Sequence, residues 1–138
     1  MVDRPVIAKK VAAVRDAIAR IHAVLPADVH TFLHDRTARE VVILNMFVAL
    51  QESLDLATHW VADEGWDVPQ SYREVFTALA EHGVLDRALA DRLASAAGLR
   101  NLVAHRYGVV DWRRVHASAS SDLGDLEAFC SAIGRLSS

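Results

Sequence analysis

Residues 37–63 read TAREVVILNMFVALQESLDLATHWVAD, and the first half of this run constrains the fold more than any other stretch. Val41, Val42, Ile43, Leu44, Met46, Phe47, Val48 and Leu50 leave a helix almost no polar side. A helix apolar nearly all round is enclosed by its own chain or by a partner. From Thr37 to Asp63 such a helix is roughly 40 Å long at ~1.5 Å per residue. Its most apolar stretch, VVILNMFVAL, is about half the ~20 residues needed to cross a bilayer. The run therefore reads either as the central helix of a bundle or as a helix buried in a partner, with no membrane expected. Only its second half keeps a polar stripe: Glu52, Asp55, His59 and Asp63.

The remaining chain offers helices to enclose it, and no alternating strand pattern. A first helix spans about Asp3 to Leu25, with Ile7, Val11, Val14, Ile18, Ile21 and Leu25 at three- and four-residue steps. Pro5 suits its first turn and Pro26 marks its exit. PADVHTFLHDRTA is either a connection or an early turn of the second helix. DEGWDVP is a turn. Ser71 and Glu74 have capping-box spacing and open a third helix that runs to about Glu81, where Gly83 ends it. Asp86 caps a fourth helix carrying Leu89, Leu93, Ala96, Ala97, Leu99 and Val103 as far as Tyr107–Gly108. Asp111 caps a final helical region, which SASSDLGD is placed to divide.

Short connections between four or five helices give an all-α, antiparallel up-and-down bundle, with residues 1–138 as a single domain. The excess apolar surface of the second helix points to a homodimer. Fifteen Lys and Arg against eighteen Asp and Glu leave a net charge of −3. The chain as a whole is thus no basic nucleic-acid binder, and any polyanion site is local. The lone Cys130 excludes an intrachain disulfide and suits a reducing compartment. The N-terminal stretch has charges throughout and no apolar signal core, so the expected location is the cytoplasm.

One segment departs from core chemistry. Residues 100–107, RNLVAHRY, set five polar groups into the fourth helix. Asn101 and His105 are four apart and share a helical face. Between residues 100 and 114 lie Arg100, Arg106, Arg113 and Arg114 and a single acid, Asp111. Arginine offers phosphate a planar fork of donors, and histidine moves a proton near neutral pH. Arg100 and His105 stand roughly 140° apart around an ideal helix. They converge best in a groove, or where two copies meet on a two-fold axis.

RNLVAHRY also matches the R-x4-H-x-Y motif of the HepT-like toxins, within the HEPN superfamily of helical-bundle ribonucleases. The similarity extends along the chain through RTAREVVILN, the Asp55-to-His59 step, VPQSYREVFTAL, GLRNLVAHRYGVVDW and DLEAFCSAIGRL. The resemblance implies an all-α homodimer whose two motifs line one cleft. It implies a metal-independent endoribonuclease toxin with no cofactor. It also implies an MNT-type nucleotidyltransferase antitoxin that uses ATP to place AMP on the motif tyrosine. On that pattern Arg100 and His105 are catalytic, Tyr107 is the AMPylation site, and Asn101 matches a common polar position. Arg106, Arg113 and Arg114 would steer the RNA. The alternative is a non-catalytic helical module that binds a nucleotidyltransferase or presents a nucleotide to it.

Other features read more plainly. His30 and His34 are four apart but no carboxylate completes a metal site, and paired Glu-x-x-His motifs are absent; no metal is expected. The stripe on the second helix favours an exposed face with an Asp55–His59 ion pair, over Asp55 or Glu52 orienting His105 or Arg100 in the cleft. Trp60, Trp66 and Trp112 suit packing at helix ends better than stacking on bases. Ser118, Ser120 and Ser121 suit turns or caps.

Overall fold

The computed structural model describes residues 3–67, 69–105 and 110–137, with side chains described for all of these except 100–105. Among the described residues the regular structure is helical throughout: α1 (Arg4–Val24), α2 (Val29–Leu33), α3 (Arg36–Asp63), α4 (Tyr72–Glu81), α5 (Arg87–His105), α6 (Trp112–Ser121) and α7 (Leu123–Ser137).

Helix α3 packs against all six others. That placement answers its composition: Ala38, Val42, Met46, Ala49, Leu50, Leu54, Leu56, Ala57, Trp60 and Val61 are all buried. An 18-residue window of α3 has a mean hydropathy of 1.4, long and apolar enough to cross a membrane by length and composition alone. Here the same apolar surface forms the centre of the bundle. Leu44 is the exception at 61% exposure, with Val41, Phe47 and Val48 half-buried beside it.

Six of the seven helix starts among the described residues follow from a capping side chain. Asp3, Asp28, Asp35, Ser71 and Asp111 accept the backbone N–H of Val6, Thr31, Ala38, Glu74 and Arg114. Asp86 accepts that of Leu89 at 2.7 Å. These oxygens satisfy donors that a helix start leaves without partners. The Ser71–Glu74 pair closes as a variant box, since the Glu74 carboxylate takes the N–H of Gln70.

Seven helices replace the expected four or five, for two local reasons. Asp28 accepts from both the N–H and the hydroxyl of Thr31, which nucleates α2 where the sequence left a connection or an early turn open. Those bonds hold the Asp28 carboxyl below its ordinary value. Phe32 then anchors α2, fully buried. At the other break, Asp122 takes the Ser118 hydroxyl on its carboxylate and donates its N–H to the Ser118 carbonyl. Its own carbonyl accepts from Asp125 and Leu126, so α6 stops and α7 starts at one residue. Along α7, Phe129 meets Phe76 of α4 edge-to-face, with centroids 5.9 Å apart. Burial pushes the neighbouring Cys130 thiol up to about 11, and Glu127 adds to the shift.

Candidate nucleic-acid site

The α5 backbone is helical through His105, so Asn101 and His105 share a face by register. The side chains of Arg100, Asn101 and His105 lie outside the described residues, as do Arg106 and Tyr107 altogether. The surroundings of this segment can still be traced. Thr58 of α3 lines one groove with Tyr72 and Arg73 of α4 and Ala94, Ala97 and Gly98 of α5. Farther along, the Arg39 guanidinium of α3 lies over the Trp112 ring of α6, 5.2 Å from its centroid. Gly98 of α5 thus lies level with Thr58 of α3, and Trp112 of α6 lies level with Arg39 of α3. The helical part of the motif, residues 100–105, follows Gly98 on α5.

Cations gather around it. Arg15, Arg20, Arg36, Arg87 and Arg92 each have a carboxylate partner. Among the described residues no salt bridge engages Arg39, Arg73, Arg113 or Arg114, or Arg4 at the distant start of α1. Arg113 and Arg114 are exposed on the first turn of α6. A β-carbon built on Gly98 would meet the Arg114 Nη2 at 3.9 Å, so this guanidinium reaches α5 two residues before Arg100. Guanidinium groups with no carboxylate partner among the described residues, close to Gly98, favour a local positive field on an acidic chain.

Other candidates fall elsewhere. Asp55 accepts from Gln51 at 2.8 Å and lies 3.8 Å from Lys10 of α1, which also holds Glu52 at 3.1 Å. The expected Asp55–His59 pair is not formed. His59 instead brings Nε2 to 3.0 Å from Asp63. The stripe faces α1, where the Lys10 ammonium attracts two carboxylates across the helix interface, rather than open solvent. The named partners of Asp55 are thus on α1 and α3.

Trp60 is core, 5% exposed. Trp66 stacks on His82 at 3.7 Å. Ser120 and Ser121 neither cap nor turn; their hydroxyls donate within α6 to the carbonyls of His116 and Ala117. His34 turns Nδ1 to the His30 carbonyl at 2.8 Å. Among the described residues no three His, Cys, Asp or Glu side chains converge on a metal position. Arg39 and Arg73 were not singled out from sequence, because pairing across helices leaves no trace in local spacing.

An all-α bundle that sets guanidinium groups beside one helix offers donors of the kind that phosphate oxygens accept. A family model described as Ribonuclease HepT-like matches residues 14–133. The mRNA nuclease HepT of Shewanella oneidensis is 32% identical over 128 residues, covering 93% of this chain and 96% of that protein. The tri-AMPylated Shewanella oneidensis HEPN toxin, solved in complex with MNT antitoxin, superposes with a TM-score of 0.84 at 32% identity. That match covers 94% of this chain and 97% of the toxin. A toxin–antitoxin structure with AMP-PNP gives 0.86 at 30% identity, covering 95% and 98%. The chain belongs to the HepT-like ribonuclease family.

Proposed function

We propose that this protein is the endoribonuclease toxin of a toxin–antitoxin pair, acting as one domain in the cytoplasm and silenced by AMP on Tyr107. The observation that carries this reading is the sequence RNLVAHRY at the end of α5, in a chain of this family. The chemistry is self-contained. RNA supplies the nucleophile, its 2′-hydroxyl. His105 removes that proton or protonates the departing 5′-oxygen. Arg100 holds the phosphate and stabilises charge developing on its oxygens. The products are a 2′,3′-cyclic phosphate and a free 5′-hydroxyl. Asn101 supports the site from the His105 face, and Arg106, Arg113 and Arg114 steer the strand.

The active form is a homodimer. Leu44, exposed among half-buried Val41, Phe47 and Val48, supports an interface on α3 that brings two motifs together and lets two copies of His105 divide acid and base roles. The inactivating partner is a nucleotidyltransferase. An AMP group on Tyr107 sets a bulky anion two residues from His105 and offsets the local positive field. The solved relative that is both tri-AMPylated and antitoxin-bound supports this assignment.

The test is cleavage of an RNA oligonucleotide in EDTA by protein expressed alone, beside the same oligonucleotide with one 2′-deoxy position at the cut site. The reading expects cleavage of the first and resistance of the second. Equal cleavage of both, or of neither, rejects it. Co-expression with the adjacent nucleotidyltransferase should add whole AMP units that map to Tyr107.

A further inference from the structure

Arg39 occupies an unusual position for an arginine. It sits on the second turn of α3, half-buried. Its guanidinium lies over Trp112, and its Nε is enclosed with no hydrogen-bond acceptor. The nearby acids are engaged elsewhere: Glu40 pairs with Arg36 at 2.7 Å, and Asp35 caps α3 through the Ala38 N–H.

The indole beneath it is braced. Phe32 meets Trp112 at 6.2 Å in an edge contact and packs on His116 at 5.3 Å. His116 in turn donates Nε2–H to the Pro26 carbonyl at 2.8 Å. Residues of α2, α6 and the α1–α2 connection thus hold one flat platform under one guanidinium. The platform takes the charge by its ring face and satisfies none of the five N–H donors.

We infer that Arg39, stacked on Trp112, is a further RNA-contacting residue that binds a backbone phosphate of the strand crossing the motif. Three features favour this ligand. The contact with the indole holds the guanidinium in place in advance, which suits phosphate recognition by its terminal nitrogens. Trp112 opens the helix that carries Arg113 and Arg114, both lacking a carboxylate partner among the described residues. The chain between Gly98 and Trp112, which contains Arg100 and His105, ends at this platform. Packing alone does not require the charge, since an unbranched apolar side chain covers an indole as well.

The inference rests on the ribonuclease reading, and its test separates the two. A labelled RNA oligonucleotide is titrated with His105→Ala protein over a series of salt concentrations. The measurement is repeated with Arg39→Met and Arg39→Lys added. Expressing the protein without a nucleotidyltransferase ensures that no phosphate on Tyr107 competes. Arg39→Met should weaken binding several-fold and lower the slope of log affinity against log salt by about 0.7, one phosphate contact on a single strand. Arg39→Lys should keep the slope while losing part of the affinity. Unchanged affinity and slope in a folded Arg39→Met protein overturns the inference while leaving cleavage by the unmutated protein intact. Absence of both RNA binding and cleavage overturns the ribonuclease reading as well. If Arg39→Met does not fold, Arg39→Lys decides: loss of a full contact from its slope overturns the charge assignment.

Discussion

Two glycines separate space from backbone conformation. At both Gly98 and Gly83 a new methyl group finds room: Gly98 would place it 3.9 Å from the Arg114 Nη2, and Gly83 has nothing within 4 Å. Their backbones differ. Gly98 lies inside α5, whereas Gly83 has a φ of 78° after α4. In a helix interior alanine exceeds glycine by about 0.8–1.0 kcal/mol, so Gly98→Ala should stabilise by that order. At Gly83 the left-handed conformation costs an L-residue about 1–2 kcal/mol, only partly offset by the reduced freedom of the unfolded chain. A net loss of about 1 kcal/mol is expected there. Urea unfolding at one fixed protein concentration reads both, with midpoints moving in opposite directions at an unchanged slope. Midpoints moving the same way would refute the reasoning. A loss at Gly98 alone would mean that another surface already occupies the space over that backbone.

Phe129→Ala removes a fully buried ring and should cost about 3–5 kcal/mol; a double-mutant cycle with Phe76→Ala should leave a coupling of about 0.5–1.5 kcal/mol for the edge-to-face pair. Cys130 should resist alkylation in the native state at pH 8 and react once the chain is unfolded in urea, because its thiol is buried and shifted from 9.0 to about 11. The sign of its pH effect follows from the raised folded value. Its contribution is complete below about 9 and is lost as pH rises through about 11, so Cys130→Val should flatten the alkaline fall in stability over that window.

The bundle was legible because its evidence is local. The period of Ile7, Val11, Val14, Ile18 and Ile21, and the capping residues Ser71, Asp86 and Asp111, act within one or two turns of where they stand. The all-round apolar run of α3 marked it as enclosed for the same reason, and the packing of all six other helices on it decides for a central position over burial in a partner alone. Helix α2 was left open because two bonds from Asp28 to Thr31 stabilise a five-residue helix too short to show a period. The stripe on α3 was misread in its pairing, because Lys10 is 42 residues from Glu52 and spacing along one helix says nothing of what faces it. The Asp55–His59 pair was the expected i,i+4 partnership; a cation on α1 displaced it. The motif stood out as five polar groups interrupting an apolar run. The surrounding arginines needed coordinates, since nothing in local spacing shows that Arg36 and Arg92 have carboxylate partners and that Arg39 and Arg73 have none among the described residues.

The central claim is that Arg100 and His105 cleave RNA together, without a metal. Its most direct test is a single-turnover assay in EDTA on a short RNA, comparing unmodified protein with His105→Ala and Arg100→Ala variants of verified fold. The account predicts a 2′,3′-cyclic phosphate product from the unmodified protein and a rate lower by about 10²–10⁴-fold in His105→Ala, with a comparable loss in Arg100→Ala. Undiminished cleavage in either variant, or activity that appears only when a divalent cation is restored, would contradict it.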